Sequence, residues 1–482
     1  MGLMFTEKLE AWAGEAPLAP VWLVGHRIWK ARQVAQIAHQ LAKSLIHHGL
    51  QPGDRVALRL PGTACWPAAV AGIWKAGGVV VPLDPATPDA GRRMALAGAR
   101  LLVTAWQGHG GGTFRVNGSQ APHRRGRVRW PVVAPTAPAA LLGTSGTSGE
   151  PRLVTLSHAN LLYSCGVRAS LAEHRPGDLV LSWLPLHHAY AFNADLLKSL
   201  ISRVPVRRVA SPGRIIRALK RARPTHLHAV PRLYEKIHRL AAGGESLSRL
   251  TGGRLRWAGC GGAPLPGWLA SWFAGRGLPL LEGYGLTEAS PLVSLNTPRE
   301  HRPGTAGRVV PGTEVRLADD GEILVRGPGV MSGYWNDPEC TTMALADGWL
   351  HTGDLGRWEE GYLAVDGRKK EMVVLSTGRK VPPLPAEAAA LALPWVDRAI
   401  LCGTGLARPA LLVWRNGDGG TEAEVLLSMN AVDPRYRPSV VVFADRPLAS
   451  GLGEITALGK PRRDRIERLW GPILAQRFQQ GR

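Results

Sequence analysis

The sequence predicts an α/β fold: a large N-terminal domain of helix-covered β-sheets over residues 1–367 and a small C-terminal α+β domain over residues 368–482. Three observations lead to this prediction. A chain of 482 residues is too long for one ordinary core and suggests two or three domains. Helix-like and strand-like patterns alternate near the N-terminus, as in sheets covered by helices. A change in composition follows Asp366–Lys370, and the remainder has the length of a small domain.

The alternation begins with an amphipathic segment over residues 27–49, which we interpret as a helix that Gly49 ends. The apolar side chains that recur in it at helical spacing are Val34, Ile37, Leu41, Leu45 and Ile46. Residues 54–60 and 78–82 have strand patterns, and residues 65–76 form the helix between them. The stretch 108–129 is rich in Gly and Arg and is predicted to be a loop.

The middle of the chain continues in the same way. We expect a strand over residues 179–184 and helices over residues 158–172, 191–200, 212–222 and 231–242. Residues 312–327 contain two strand patterns around Asp319–Gly321, which predicts a β-hairpin. His226 and His228 alternate along a short strand pattern and are interpreted as structural.

The cysteines and the N-terminus indicate a cytoplasmic chain. The five cysteines lie far apart, without metal-ligand or disulfide-framework spacing, which is typical of reduced thiols: Cys65, Cys165, Cys260, Cys340 and Cys402. The N-terminus lacks the basic and apolar regions of a signal peptide. The most apolar window, Trp66–Leu83, is interrupted by Lys75 and is a poor membrane span.

The formal net charge of +22 is unusual. It is compatible with nucleic acid, an anionic membrane surface or polyanionic small ligands. The basic residues are spread along the chain without a helix-turn-helix, zinc-finger or RNA-binding signature, so no nucleic-acid partner is expected. Peripheral contact with the anionic inner face of a membrane stays open as an alternative to a freely soluble cytoplasmic chain.

The segment Leu141–Arg152 is the strongest single candidate for a binding loop. Its glycines let the backbone take positive φ, so that successive N–H groups turn toward an anion. Its hydroxyls add donors and Arg152 adds a cation. The segment is not the usual P-loop, because Gly-x4-Gly-Lys-Ser/Thr is absent. The alternative interpretation is a mobile surface loop.

Seven short motifs follow one another along the chain. They are Thr144–Arg152, Leu184–Ala191, Gly261–Pro264, Gly283–Glu288, Gly348–Asp354, Gly367–Glu371 and Gly459–Lys460. Each is weak alone, but seven in this order are specific. On these residues the chain resembles the adenylate-forming (AMP-binding) acyl-CoA synthetase superfamily over nearly its whole length. The resemblance implies an acyl-CoA synthetase-like fold with a mobile C-terminal domain.

A narrower likeness is to long-chain fatty acyl-CoA synthetases. It rests on Val325–Trp335, Lys370–Pro382 and Thr456–Arg463. Two departures accompany it. The chain has Arg152-Leu153 where the family usually has Lys-Gly, and Pro382–Glu387 replaces an acidic Pro-x-Glu-Ile-Glu pattern. These departures concern acyl length and the final acceptor more than the adenylation chemistry.

The resemblance implies a site for the triphosphate. Its β- and γ-phosphates would be held by Thr144, Ser145, Gly146, Thr147, Ser148, Gly149 and Arg152. Thr287 would donate to the α-phosphate, and Glu288 would carry Mg²⁺ with Thr147 as a helper. Carboxylate and phosphate oxygens are the ligands that Mg²⁺ prefers. The alternative for Glu288 is a surface acid after a turn.

The remaining roles also come from the resemblance. Adenine would lie against Gly262, Ala263, Pro264, Gly283 and Tyr284, with Tyr284 stacked on the base. Asp354 would accept from the ribose hydroxyls and Arg368 would reach the ribose or the phosphates. Lys460 would bridge the carboxylate and the α-phosphate, Lys370 would be the hinge and His188 a wall of the acyl pocket. The alternatives are a turn residue for Asp354 and a solvated lysine for Lys460.

The implied reaction is ATP-dependent activation of a medium- or long-chain fatty acid to acyl-AMP, followed by thioester formation with CoA. The implied ligands are therefore the fatty acid, ATP, Mg²⁺ and CoA, and a basic surface at Gly378–Lys380 would meet CoA. Two alternatives remain. One is a fatty acyl-AMP ligase that loads the phosphopantetheine of an acyl carrier protein. The other is a catalytically silent, basic, membrane-associated homologue.

Overall fold

The computed structural model describes residues 4–86, 90–105, 114–117, 119–120, 128–144, 152–209, 211–417, 419–449, 452–455 and 461–480. The chain forms two compact units. The first contains Met1–Arg316, Leu324–Thr352 and Glu360–Leu363, and the second contains Leu317–Ile323, Gly353–Glu359 and Ala364–Arg482. The α/β fold class is confirmed, with the larger unit N-terminal and the smaller one C-terminal. The boundary between residues 367 and 368 stays a prediction.

The strands are, in chain order, β1 Pro20–Val24, β2 Arg27–Lys30, β3 Arg55–Arg59, β4 Val79–Pro82, β5 Leu101–Ala105, β6 Phe114–Val116, β7 Ser119–Gln120, β8 Pro138–Gly143, β9 Leu153–Ser157, β10 Val180–Ser182, β11 Val206–Arg208, β12 His226–Ala229, β13 Trp257–Cys260, β14 Leu280–Tyr284, β15 Ser294–Leu295, β16 Arg308–Val309, β17 Glu314–Leu317, β18 Glu322–Arg326, β19 Gly333–Tyr334, β20 Leu350–Glu359, β21 Tyr362–Arg368, β22 Val373–Val374, β23 Lys380–Val381, β24 Val396–Cys402, β25 Ala410–Arg415 and β26 Val440–Phe443.

The α-helices are α1 Phe5–Glu15, α2 Ala31–His47, α3 Trp66–Lys75, α4 Ala90–Ala97, α5 His158–Leu171, α6 Ala189–Ala191, α7 Lys198–Ser202, α8 Ile215–Ala222, α9 Pro231–Ala242, α10 Leu247–Thr251, α11 Gly267–Ala274, α12 Pro338–Ala344, α13 Pro383–Leu391, α14 Glu422–Ser428 and α15 Arg463–Gln480. A π-helix, Phe192–Leu197, joins α6 to α7. Single 3-10 turns occur at Pro212–Arg214, Thr287–Ala289, Ala346–Gly348, Lys369–Glu371, Met429–Ala431 and Pro434–Tyr436.

Two large sheets form the first unit. The nine-stranded sheet has the order β16-β15-β14-β13-β12-β10-β11-β1-β2, and the eight-stranded sheet has the order β19-β9-β8-β4-β3-β5-β6-β7. In the first sheet, β1 and β10 to β14 are joined by parallel pairings, and antiparallel strands complete the edges. Parallel strands covered by helices on both faces are apolar throughout, as all four buried residues of β4 illustrate.

The second unit has its own core. It is built on the three-stranded sheet β24-β25-β26 and the hairpin β22-β23. Side chains of α13, α14 and this sheet form one apolar cluster that includes Ala386, Leu411 and Val425. The helix α15 packs on another face of the sheet through Ile466 and Trp470. Strands β17, β18, β20 and β21 form a separate four-stranded sheet.

Most predicted elements are present, and three predictions were wrong in detail. The segment 27–49 begins with the strand β2 before α2 starts at Ala31, because β2 pairs with β1 and tertiary pairing overrides the local pattern. The stretch 108–129 contains β6 and β7, which extend the eight-stranded sheet, and much of the rest of it lies outside the described residues. The helix over 191–200 is largely the π-helix.

The predictions for the hairpin and the cysteines agree with the structure. The hairpin is formed by β17 and β18. All five cysteines are free thiols; Cys340 is half-buried and the others are buried. Within the part of the chain that the structure describes, no helix combines the length and apolarity needed to cross a membrane.

Candidate functional site

The two segments predicted to bind adenine meet at one edge of the nine-stranded sheet. Strands β13 and β14 are parallel neighbours, with Cys260 opposite Glu282. Gly261–Pro264 follows β13 directly, and Gly283 and Tyr284 end β14. Because the carboxyl ends of parallel strands meet at the same edge, both segments leave the sheet together, where ligands bind in open α/β sheets.

Glu282 fixes the loop after β13 to β14. Its Oε1 accepts a hydrogen bond from the Leu265 backbone N–H at 3.1 Å. Burial raises the pKa of this carboxyl to about 8, so it is largely protonated at neutral pH. The sequence reasoning did not single out Glu282, although an acid at the end of an apolar strand, next to a Gly-Tyr-Gly turn, was a usable signal.

Glu288 is positioned by a tight turn after β14. A Cβ on Gly285 would lie 2.4 Å from the carbonyl carbon of Pro291, so only glycine fits there. The turn continues into the 3-10 segment Thr287–Ala289, in which both Thr287 and Glu288 are half-buried. The Met331 N–H donates to the Glu288 carbonyl at 2.8 Å, which ties the segment to the chain before β19.

Four side chains lie around the Glu288 carboxylate and are called the phosphate-side cluster: Arg152, Glu288, Tyr334 and Asp337. The Tyr334 hydroxyl donates to Glu288 Oε1 at 2.9 Å. The Arg152 guanidinium carbon lies 5.5 Å from the centre of the Tyr334 ring, and Arg152 Nε lies 3.3 Å from Asp337 Oδ2. Burial, followed by the Glu288 charge, raises the pKa of Tyr334, so the phenol stays a donor.

The two described ends of the predicted phosphate loop are Thr144 and Arg152, and Arg152 belongs to the phosphate-side cluster. Strands β8 and β9 are antiparallel, and the Thr144 N–H donates to the Arg152 carbonyl at 2.9 Å. Thr144 and Arg152 therefore stand side by side at the ends of the loop. Ser145, Gly146, Thr147, Ser148 and Gly149 lie outside the described residues. Tyr334 and Asp337 were missed, although Tyr334 belongs to the Val325–Trp335 segment that carried the narrower likeness.

The surroundings of Glu288 fit a divalent cation. Within the described part of the chain, no Lys, Arg or His lies within ion-pair distance of the Glu288 carboxylate, and Tyr334 occupies one of its two oxygens. A half-buried carboxylate without a cationic partner is the kind of oxygen ligand that Mg²⁺ takes. Thr147, the predicted helper, lies outside the described residues.

A cavity of about 70 Å³ adjoins the same edge. Its wall includes Gly261, Gly262, Gly283 and Gly285, which belong to the adenine segments and the turn before Glu288. Apolar side chains form much of the rest, namely Leu171, Ala172, Trp257, Leu281, Pro291 and Leu295. The cavity therefore reaches from the apolar interior to the glycine-lined edge.

Charged and polar side chains also line this cavity. They are Arg168, Tyr190, Lys198, His228 and Asn296. A Cβ on Gly259 would lie 2.7 Å from His228 Cδ2, so this glycine makes room for the imidazole. His228 was interpreted as structural from the sequence; the structure places it in the cavity wall, whereas His226 lies buried beside Asp178 and Arg256.

His188, predicted to be a wall of the acyl pocket, stands outside the lining of this cavity. Its ring lies 4.3 Å from that of His187, measured between centroids, and His187 Nε2 lies 4.0 Å from Asp84 Oδ2. Burial lowers the pKa of both imidazoles. The same Leu184–Ala191 segment contributes Tyr190 to the wall instead, and the role of His188 stays a prediction.

The second unit contains the predicted ribose residues. Asp354 lies buried in β20, and Arg368 ends β21, the neighbouring strand. The Arg368 Nε lies 2.9 Å from Asp354 Oδ1, so the structure brings these two together. Lys370 is exposed in the 3-10 turn that follows β21. Lys460 lies outside the described residues.

Two further segments of the second unit were linked in the sequence to the acyl acceptor, CoA or a carrier protein. Gly378 and Lys380 lie exposed at the turn of the β22-β23 hairpin, where Gly378 has φ +77°. The unusual Pro382–Glu387 segment begins α13, and Glu387 accepts from Arg463 Nη2 at 2.6 Å and from the Leu401 N–H at 2.7 Å. Glu387 therefore anchors the start of α15.

Comparison with known families shows the family of the chain. The model of the AMP-binding enzyme family matches residues 9–335, about two thirds of the chain, and that of the AMP-binding enzyme C-terminal domain matches residues 370–434. The chain belongs to the AMP-binding enzyme family. The resemblance to the adenylate-forming acyl-CoA synthetase superfamily is confirmed, and the residues of the glycine-lined edge lie within the matched region.

Two relatives and one solved structure indicate the class of reaction. The long-chain-fatty-acid–CoA ligase FadD15 of Mycobacterium bovis is 31% identical over 457 residues, covering 78% of this chain and 76% of that protein. The feruloyl-CoA synthase of Amycolatopsis sp is 31% identical and covers 88% and 91%. The fold matches the anthranilate CoA ligase AuaEII in complex with anthranoyl-AMP, with a TM-score of 0.84, 20% identity and 97% of each chain covered.

These findings support an AMP-forming acid–CoA ligase, a class that uses ATP, Mg²⁺ and CoA. The acids in the relatives' names differ widely, from fatty to aromatic. The names therefore support the class of the reaction and leave the acid open.

Proposed function

We propose that this AMP-forming ligase binds its carboxylic acid in the 70 Å³ cavity and joins it to AMP at the glycine-lined edge of the nine-stranded sheet. One observation carries the proposal. Gly261, Gly262 and Gly283 belong both to the wall of the cavity and to the segments assigned to adenine. An acid seated in the cavity would therefore end beside the nucleotide, where acyl-AMP must form.

In the first half-reaction, a carboxylate oxygen attacks the α-phosphorus of ATP and pyrophosphate leaves. Repulsion between anions limits this step, so cations and donors must converge on the phosphates. Arg152 and Thr144 at the base of the loop, together with Ser145–Gly149, would hold the leaving phosphates. Thr287 would donate to the α-phosphate.

Glu288 would hold Mg²⁺, which when bound neutralises charge on the phosphate oxygens. The Tyr334 hydroxyl orients the carboxylate by its hydrogen bond to Oε1. Asp337 holds Arg152 by an ion pair until a phosphate offers the guanidinium a stronger partner. The cluster is thus arranged before the nucleotide arrives.

The nucleoside roles stay with the predicted residues. Tyr284 would stack on adenine next to the exposed Ala263 and Pro264. Asp354 would accept from the ribose hydroxyls, and its ion pair with Arg368 fixes its orientation. Lys460 would bridge the carboxylate and the α-phosphate in the first half-reaction.

In the second half-reaction, the CoA thiol attacks the acyl carbon, the thioester bond forms and AMP leaves. The Gly378–Lys380 turn would meet CoA after rotation about Lys370. The medium- or long-chain fatty acid stays a prediction, supported by the name of the Mycobacterium bovis relative and by the motifs of the narrower likeness. Carrier-protein loading has no observation in its favour beyond the shared chemistry.

The test is pyrophosphate release across carboxylic acids of two to eighteen carbons and of aromatic type, with and without CoA. We expect release that depends on the acid and on Mg²⁺, with AMP and an acyl-CoA as final products. Pyrophosphate release with no thioester formed from CoA would favour the carrier-protein alternative. No release with any acid would contradict the proposal and favour a silent homologue.

A further inference from the structure

The wall of the cavity contains two buried cations. The Lys198 side chain is completely buried, and Arg168 is 6% exposed. Lys198 begins α7 directly after the π-helix, and Arg168 lies near the end of α5. Burying a cation costs free energy unless hydrogen bonds or opposite charges compensate for it, so each of these groups calls for a partner.

The two cations differ in their hydrogen bonds. Arg168 donates from Nε to Asn193 Oδ1 at 3.3 Å and from Nη2 to the Pro291 carbonyl at 3.2 Å. The Lys198 ammonium, in contrast, has no hydrogen-bond acceptor among the described residues. Because Lys198 also lines the cavity, a ligand bound there could supply the acceptor that the ammonium lacks.

The carboxylate nearest in sequence does not hydrogen-bond to Lys198. Asp195 is fully buried, its Oδ1 accepts a hydrogen bond from His228 Nδ1 at 2.8 Å, and its Oδ2 has no hydrogen-bond partner among the described residues. Burial, with the Lys198 charge second, lowers the pKa of His228 to about 4, so the imidazole is neutral at physiological pH. The cavity cluster of Arg168, Asp195, Lys198 and His228 therefore contains two cations and one anion.

We propose that the Lys198 ammonium, supported by the Arg168 guanidinium, recognises a second anionic group on the carboxylic acid, so that the preferred substrate is a compact dicarboxylic acid. This inference rests on the proposed function of the cavity as the acid site. The near carboxylate reacts at the glycine-lined edge, and the far carboxylate neutralises the excess charge of the cavity cluster. Lys198 is thus a specificity-determining residue.

On this inference the substrate differs from the predicted medium- or long-chain fatty acid, because a hydrocarbon chain fits the same cavity poorly. It would leave the Lys198 ammonium buried beside apolar groups, without an acceptor and without access to water. The second carboxylate supplies the missing acceptor and makes charge-assisted hydrogen bonds, which are the strong ones. The aromatic and aliphatic side chains of the wall, Tyr190, Trp257, Leu281 and Leu295, accommodate the short apolar spacer between the two carboxylates. The cavity is small, about 70 Å³, which favours a short spacer over a long chain.

The test compares acids that differ only in their far end: adipate with hexanoate, and terephthalate with benzoate. With the wild-type chain, ATP, Mg²⁺ and CoA, we expect kcat/KM to favour the dicarboxylate of each pair by roughly 10- to 100-fold. Equal use of both members, or preference for hexanoate, dodecanoate or benzoate, would overturn the inference while leaving the ligase function intact. Absence of turnover with every acid would instead contradict the proposed function itself.

The second arm removes the ammonium. Lys198→Met keeps the length of the side chain, and we expect it to lose most of the dicarboxylate preference and to gain activity on hexanoate. Lys198→Arg should retain part of the preference. The matched control is Lys236→Met, because Lys236 is exposed on α9. An unchanged adipate-to-hexanoate ratio in a folded Lys198→Met chain would overturn the role of Lys198. If that variant does not fold, the wild-type pairs decide.

Discussion

The phosphate-side cluster and the cavity cluster both gather charged side chains in the first unit, but their charges are arranged differently. Glu288 is half-buried and Arg152 is exposed at a sheet edge, and both have partners: Tyr334 for Glu288 and Asp337 for Arg152. Lys198 is completely buried and lacks an acceptor among the described residues. We interpret the first arrangement as a site for the nucleotide, which is common to the family. We interpret the second as a site for the carboxylic acid, which differs between its members.

The largest expected effect is on the phosphate side. Glu288→Ala removes the carboxylate assigned to Mg²⁺, and we expect acid-dependent pyrophosphate release to fall by roughly 10²- to 10³-fold. The measurement is the rate at saturating ATP and Mg²⁺, with circular dichroism to show that the variant is folded. Glu300→Ala, at an acid paired with Arg308 on the surface, is the matched control and should retain full activity. A near-normal rate in Glu288→Ala would place the metal elsewhere.

The next effect separates the two half-reactions. Lys460→Ala should slow acyl-AMP formation strongly, by roughly 10²-fold, because a cation between carboxylate and α-phosphate is lost. Thioester synthesis from supplied acyl-AMP should be largely retained. Lys370→Pro, which fixes φ at the hinge, should show the opposite bias. The rates of both half-reactions are measured in both variants. If each variant loses both rates equally, rotation about Lys370 does not explain how one site performs the two half-reactions.

The sequence predicted contiguous motifs well, but it did not predict the cavity cluster. The motifs around Gly283–Glu288 and Thr144–Arg152 are contiguous, so each could be predicted from its own residues. The structure places Gly283 and Tyr284 at the end of β14 in the nine-stranded sheet and Thr144 and Arg152 next to the ends of β8 and β9 in the eight-stranded sheet, and their binding roles stay predictions. Arg168, Lys198 and His228 come from α5, α7 and β12. Only the tertiary fold brings them together, and no local pattern marks them. Lys198 begins α7 like any helical lysine, and its complete burial is a property of the packed unit.

The same contrast explains the secondary structure that was missed. Leu41 and Leu45 correctly predicted the body of α2, because a helix face is a local pattern. Arg27–Lys30 became a strand because β1 offered it a partner. The π-helix Phe192–Leu197 likewise depends on its surroundings, since all six of its residues are buried.

A smaller effect, of about 10-fold, is expected from pH. Burial, assisted by the like charge of Arg168, lowers the pKa of Lys198 to about 8, while the charges of Asp195 and Asp178 oppose this shift. The ammonium is therefore present below pH 8 and lost above it. KM for adipate should rise about 10-fold between pH 7 and pH 9, while KM for hexanoate should not follow. If KM for the two acids changes in parallel with pH, Lys198 does not recognise the second carboxylate.

The smallest expected effect concerns the partner of Glu288. Tyr334→Phe removes one hydrogen bond to a charged group and keeps the ring beneath Arg152, so we expect kcat to fall by roughly 5- to 10-fold. The Mg²⁺ concentration needed for half-maximal activity should rise in the same variant. Tyr362→Phe is the matched control, because this tyrosine lies outside the phosphate-side cluster. Wild-type kinetics in Tyr334→Phe would mean that the Glu288 carboxylate needs no orientation from Tyr334.

The central claim is that the charged cavity and the glycine-lined edge are two ends of one acid site. A crystal structure of the chain with Mg²⁺, a non-hydrolysable ATP analogue and adipate tests it most directly. The account predicts one carboxylate of adipate beside the α-phosphate and the other within hydrogen-bond distance of Lys198 Nζ. Adipate bound with neither carboxylate near Lys198, or a cavity filled by the chain's own side chains with the acid elsewhere, would contradict it.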